Sequence, residues 1–140
     1  RDLVSWHGEV AFAPKLEVLR GARATLCPLS WEEPFGLVMI ESMLVGTPVI
    51  AFARGSAAEV VDEGVTGFLV RNREEMADRV RRLGEIDRVR CRARARERFN
   101  AIRMAGDYER VYAEAAGGHQ VGPVRPVQSS GVALARAVAR

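Results

Sequence analysis

The chain has 140 residues, 48% of them hydrophobic, which suits one globular domain with a core and argues against a disordered chain. Its net charge of +3 rests on 21 basic residues, of which Lys15 is the only lysine, and the densest basic run, "RVRCRARARER" (88–98), contains no aromatic residue; a nucleic-acid-binding face would interleave the two, so no nucleic-acid partner is expected. No run approaches ~18 apolar residues, which excludes a predicted membrane span, and the opening "RDLVSWHGEV" has neither Met nor a signal-peptide core, so it reads as the middle of a protein.

Taken in chain order, "LVSWH" (3–7) is a short apolar run ending at Gly8 and reads as a first strand. Residues 13–22 place Leu16 and Leu19 at helical spacing. "ATLCP" (24–28) is a second, buried strand stopped by Pro28. Residues 36–45 are helical, closed by Gly46 with Pro48 two residues on. "PVIAF" (48–52) is a third strand, a short helix opens at Ser56 and runs to about Val61, "DEGVTG" (62–67) turns, and "FLV" (68–70) is a fourth strand. Helices follow at roughly 73–84, 87–98 and 101–116. Arg88, Arg92 and Arg96, with Arg90, Arg94 and Arg98, form two helical rows that read as a solvated face. From 117 the sequence turns Gly-, Pro- and Ser-rich, and 117–140 reads as a disordered tail. Strands alternating with helices give an α/β fold: a Rossmann-like parallel sheet covered by helices on both faces. Cys27 and Cys91 are unpatterned, expected as free thiols in a reducing cytoplasm, and no metal-ligand spacing occurs, so no metal is expected.

The stretch "EEPFGLVMIE" (32–41) concentrates the chemistry. Its helix carries Leu37, Val38, Met39, Ile40, Met43, Leu44 and Val45 around nearly every face, which predicts burial on both sides, yet Glu41 sits among them. A buried, unpaired carboxylate costs several kcal/mol. Glu41 therefore either meets a basic partner or lines a wet cleft, where a carboxylate suits the vicinal hydroxyls of a ribose. Gly36 permits close backbone approach, and the first helical N–H groups, near Gly36 to Val38, attract anions. Phosphate at the corner and ribose about one turn further in describe one nucleotide, with Glu33 facing whatever lies beyond the phosphates. The plainer reading makes Glu33 a partner of the helix dipole and Glu41 half of an interior ion pair. "SAAE" (56–59) reads as a capping box, with Ser56 as N-cap and Glu59 reaching back, while the loop Arg54–Ser56 borders the cleft. His7 is read as a structural strand end. Trp31 either walls the pocket or packs.

"EPFGLVMIE", followed in order by "GTPVIA", "GSAAEVV" and "GVTGFLV", resembles the donor-binding half of retaining, nucleotide-sugar-dependent glycosyltransferases of the GT-B type, group 1 or family four. The resemblance covers residues 3 to 116, including the closing "ERFNAIRMAGDYERVY", so that 1–116 is expected to be a partial nucleotide-sugar-binding domain. It implies that Glu41 holds the donor ribose, that Glu33, the catalytic residue, contacts hydroxyls of the donor sugar, that backbone amides of Phe35, Gly36 and Leu37 contact sugar and diphosphate, and that Val38 lies against the nucleotide. The implied reaction takes a UDP- or GDP-linked sugar to an acceptor with retention, without a cofactor or bound metal. The resemblance also places two strands, an Arg/Lys pair that neutralises the diphosphate, and the acceptor domain upstream of Arg1. With the strand order 3-2-1-4-5-6, the strands here are the third to sixth. The "ATLCP" strand then presents a bare inner edge, and the isolated chain is expected to be inactive. Cytoplasmic location is expected, with any peripheral membrane attachment in the missing half. The rival readings are a degenerate nucleotide-binding module without chemistry, and a sugar-nucleotide epimerase or phosphorylase, to which the "EPFG" corner and its later glutamate are foreign. A Rossmann dehydrogenase is disfavoured because no G-x-G-x-x-G follows the first strand.

Overall fold

The computed structural model describes residues 3–117, so the expected tail lies outside the described residues from position 118 onward. The chain divides into two compact units between Met104 and Ala105. The first unit holds, in order, α1 (Phe12–Gly21), β1 (Thr25–Cys27), α2 (Leu37–Leu44), β2 (Val49–Phe52), α3 (Ala57–Val60), β3 (Gly67–Val70), α4 (Arg73–Arg81), a 3₁₀ turn (Leu83–Glu85) and α5 (Arg88–Arg98). A sixth helix, α6 (Ala101–Ala115), begins there and continues into the second unit, where Tyr108 and Tyr112 lie one turn apart with ring centroids 6.0 Å from each other. Among the described residues no helix is long and apolar enough to cross a membrane.

The sheet is parallel with the order β1-β2-β3, Leu26 standing opposite Ile50 and Ile50 opposite Phe68. Successive strand residues face opposite sides. Val49, Ile50 and Ala51 are all at most 1% exposed, so both faces of β2 are covered, as expected of a parallel sheet. Met39 and Met43 of α2, Val70 of β3 and Cys91 and Ala95 of α5 complete the centre of the core.

The expected first strand does not form. Residues 3–7 are irregular, with Leu3 97% and Trp6 92% exposed, and His7 is an exposed residue of this segment rather than a strand end. A strand is held by its ladder partner. Among the described residues β1 pairs only with β2, and 3–7 has not slid across to β1's free edge, where Leu26 remains half exposed.

The helix ends follow local chemistry. Gly46, in the left-handed region at φ 85°, donates its N–H to Met43 O at 2.9 Å, and Thr47 N–H reaches Ser42 O at 2.9 Å, the paired bonds of a Schellman stop for α2. Asn72 caps α4 through Glu75 N–H at 2.9 Å, and Asp87 caps α5 through Val89 N–H at 2.7 Å. The expected capping box at 56–59 is absent. Ser56 already has helical angles (φ −68°, ψ −11°), because the turn starts earlier, with Ala57 N–H donating to Arg54 O at 3.1 Å. Ser56 therefore cannot act as N-cap, and its buried hydroxyl has no hydrogen-bond partner among the described residues.

The arginine rows of α5 are only partly solvated. Arg88 donates to Ala22 O, Arg20 O and Thr47 Oγ1 at 2.8, 2.9 and 2.6 Å, tying the end of α1 to the turn after α2. Arg94 Nε meets Asp62 at 2.6 Å, and Arg98 binds Asp62 as well as the carbonyls of Glu59 and Val60. Arg90, Arg92 and Arg96 are exposed.

Candidate functional site

The candidate site grows from the loop that leaves the carboxyl end of β1 and enters α2, the place where open α/β sheets bind ligands. This loop is held from outside by residues 54–56. Arg54 Nη1 donates to Ser30 O at 3.2 Å, Gly55 N–H to Glu32 Oε2 at 2.5 Å, and Ser56 N–H to Glu33 O at 2.8 Å. Gly55 is at φ 51°, and a Cβ on it would stand 2.4 Å from Glu33 O and 2.5 Å from Glu33 N. Backbone atoms cannot yield, so this close approach requires glycine.

Glu33 is thereby fixed at the corner. Its Oε2 accepts from Trp31 Nε1 and its Oε1 from Gly36 N–H, each at 3.1 Å. Trp31, 57% exposed, braces Glu33 rather than packing into the core. Glu33 also complements the positive end of α2. Its negative charge is felt at Cys27, whose thiol is pushed up to about 11 by burial first and by Glu33 second. Burial likewise pushes Cys91 up to about 11, so both free cysteines are inert core residues.

Gly36 adopts φ 76° and turns the chain into α2. Its N–H is engaged by Glu33, whereas the N–H groups of Leu37 and Val38, in the first helical turn, have no acceptor within the helix. The structure corrects the expectation that α2 is buried all round. Met39, Ile40, Ser42 and Met43 are buried, but Leu37 and Val38 are 63% and 39% exposed and Phe35 beside them is also exposed. Leu37 and Val38 precede Glu41 by four and three residues, so the three share one face of the helix. Glu41 lies on this open stripe, ~6 Å of helix rise from Leu37.

Glu41 has a basic partner. Lys15 Nζ, on α1, donates to Glu41 Oε1 at 2.8 Å, with side chains 33% and 20% exposed respectively. The Lys15 ammonium also stands 5.3 Å from the centre of the Phe12 ring. A buried hydroxyl network beneath the pair ties the elements together. Ser42 Oγ donates to Thr47 O at 2.9 Å and shares a 2.8 Å bond with Thr25 Oγ1, and Thr47 Oγ1 donates to Leu19 O at 2.7 Å. Phe35, Gly36, Leu37, Val38, Glu33 and Glu41 thus gather along one corner and one helix face. Sequence reasoning gave Lys15 and Glu32 no role at this corner and placed Gly55 there only as part of the loop Arg54–Ser56 that borders the cleft. Only Gly55 carried a signal, as a glycine directly before the expected cap. At the carboxyl ends of β2 and β3, a shallow cleft is lined by Phe52, Ala53, Arg54, Val70 and Arg71. Among the described residues no three His, Cys, Asp or Glu side chains gather closely enough to hold a metal ion.

Comparison with known proteins agrees with this architecture. The chain is 41% identical over 76 residues to D-inositol 3-phosphate glycosyltransferase of Streptomyces griseus, a match covering 54% of this chain and 16% of that protein. It is 36% identical over 95 residues to an uncharacterized 41.2 kDa protein of the cps region of Klebsiella pneumoniae, covering 62% of this chain and 26% of the other. The chain therefore spans well under a third of the length of these relatives. The crystal structure of Anabaena HepE in complex with UDP superposes with a TM-score of 0.62 at 25% identity, over 70% of this chain and 29% of that one. The family model described as glycosyl transferases group 1 matches residues 1–98. The α/β unit with its glycine corner and helix α2 is accordingly a Rossmann-like domain of the GT-B kind, and the chain belongs to the group 1 glycosyl transferases.

Proposed function

We propose that this chain is the donor-binding part of an enzyme that transfers a sugar from a UDP- or GDP-linked donor to an acceptor, with retention at the anomeric carbon. The observation that carries the reading is the open stripe on α2: the first-turn N–H groups of Leu37 and Val38, with no acceptor within the helix, then Glu41 on the same face. The amides meet the diphosphate, aided by the helix dipole. Val38 packs against the nucleotide, and Glu41 accepts from the ribose hydroxyls. Phe35 and Gly36 shape the corner, and Glu33 contacts hydroxyls of the transferred sugar. The UDP named with Anabaena HepE supports a nucleotide as ligand.

In the reaction, the bond from the anomeric carbon to the diphosphate breaks and a bond to the acceptor oxygen forms on the same face. The acceptor's proton passes to the departing phosphate. The main task is to stabilise charge growing on the diphosphate, which preorganised amides and cations perform. The nucleotide sugar is itself the activated substrate, so the reading calls for no cofactor or bound metal. It places the protein in the cytoplasm, where Cys27 and Cys91 stay reduced.

The test is titration calorimetry of the full-length protein with UDP and GDP. Glu41→Ala is expected to weaken the bound nucleotide by about 2–3 kcal/mol, the worth of a charge-assisted contact to two hydroxyls. Unchanged affinity for both nucleotides would remove Glu41 from the site.

A further inference from the structure

We propose that Lys15 is a ribose-positioning residue, which holds Glu41 by one oxygen and shares the sugar's vicinal hydroxyls with it. The inference rests on the nucleotide reading above. Lys15 is the only lysine among 21 basic residues. The choice of residue type has a consequence at this contact. An Arg fork can take both oxygens of a carboxylate, as Arg82 does here, with Nε 2.7 Å from Glu85 Oε1 and Nη2 2.7 Å from Glu85 Oε2. Lys15 takes Glu41 Oε1 alone, and Oε2 has no protein partner among the described residues. The ammonium has three N–H groups, so two remain beyond the bond to Glu41.

A hydroxyl both donates and accepts. A ribose hydroxyl seated between these groups donates to Glu41 Oε2 and accepts from Lys15 Nζ, and its neighbour on the ring has the remaining capacity of either. Both side chains are reachable, Lys15 at 33% and Glu41 at 20% exposure. They are also held in place. The Phe12 ring backs the ammonium at 5.3 Å, a favourable cation–π arrangement. Arg88 and Thr47 bind the carboxyl end of α1 to the turn that closes α2, fixing the two helices that carry the pair. Lys15 thus holds Glu41 through Oε1 while leaving the other half of its carboxylate free.

The test is calorimetry of the full-length protein with UDP and GDP and their 2′-deoxy counterparts, on wild type, Lys15→Arg and Lys15→Met. Wild type is expected to prefer the ribonucleotide by about tenfold or more, the effect of one hydrogen bond to a charged group. Lys15→Arg keeps the ion pair and the wild-type unfolding temperature, yet loses that preference, because the fork occupies both oxygens of Glu41. Lys15→Met loses it too. A residue that merely docks α1 on α2 would leave the preference unchanged in Lys15→Arg. Retention of the ribose preference in Lys15→Arg, or a wild type that binds both sugars equally, overturns the proposal while leaving the nucleotide site standing. Failure of wild type to bind either ribonucleotide overturns the nucleotide reading itself. Should Lys15→Met fail to fold, the arginine variant decides.

Discussion

Replacing Gly55 by Ala tests whether the 54–56 loop sets the geometry of the corner. Gly55 lies at φ 51°, where an L side chain costs roughly 1–2 kcal/mol. The added Cβ would also stand 2.4 Å from Glu33 O and 2.5 Å from Glu33 N, and these are backbone atoms with no soft direction to move. The loop must then withdraw, stretching Ser56 N–H to Glu33 O and Gly55 N–H to the Glu32 carboxylate, now 2.8 and 2.5 Å. Two such bonds, one to a charged group, contribute about 2 kcal/mol together. The expected loss is therefore about 3–4 kcal/mol of stability, read as a lower urea midpoint. Sugar transfer should fall further than stability alone explains, because Glu33 moves with its backbone. Gly84→Ala is the control, since nothing lies within 4 Å of a Cβ placed there. It should change stability by no more than about 0.5 kcal/mol. A Gly55→Ala protein matching the Gly84→Ala protein in both midpoint and transfer would refute the argument.

Glu33→Gln should lower sugar transfer more than it weakens binding of bare UDP or GDP, because the proposed function puts Glu33 beyond the phosphates; weaker nucleotide binding with transfer intact would mean that the roles of Glu33 and Glu41 are reversed. Asp62→Ala removes the carboxylate that Arg94 and Arg98 share, and because these side chains are 21–40% exposed the expected loss is only about 1–2 kcal/mol, measured as a urea midpoint and refuted by no change. The two cysteines give a pH dependence. The unfolded chain sheds their protons near 9.0 and the folded chain only near about 11, so stability is fully present below pH 9 and declines from there to about pH 11. A Cys27→Ala, Cys91→Ala double variant should show a shallower decline over that window, and an unchanged slope would assign the loss to other groups.

The elements that were legible in the sequence are those whose signals are local. The Gly46 stop and the continuous apolar run of β2 each fix a boundary through atoms within a few residues. What was not legible depends on distant partners. "LVSWH" has strand composition, but a strand requires a neighbour in the sheet, and composition does not supply one. Ser56 has the pattern of a cap, yet Gly55 is pressed against the backbone of Glu33, 22 positions earlier, and that approach starts the turn too soon for Ser56 to serve. The α5 arginines look like a solvated face until Asp62 and the carbonyls of α1 and α3 come within reach.

The candidate site was legible by position but not by state. Reading α2 as an all-round buried helix turned Glu41 into a choice between an ion pair and a wet cleft, because apolar content was taken for burial. Burial of apolar residues is a one-way rule, and exposed ones are common. What is less common is an exposed apolar run at this place: Phe35, Leu37 and Val38 open to solvent around a helical turn in which the N–H groups of Leu37 and Val38 have no acceptor within the helix. Solvated helix starts usually carry polar side chains there, which help satisfy those donors. An apolar rim around free donors suits a ligand with an anionic centre and flat or hydrophobic flanks. Glu41 then needs neither full burial nor isolation. Its ion pair with Lys15 uses one oxygen and offsets the cost of partial desolvation, and the other oxygen has no protein partner among the described residues. On the proposed function the ion pair and the wet cleft are one arrangement, and Lys15, 26 positions away on α1, is the residue that periodicity within α2 had no means to reveal.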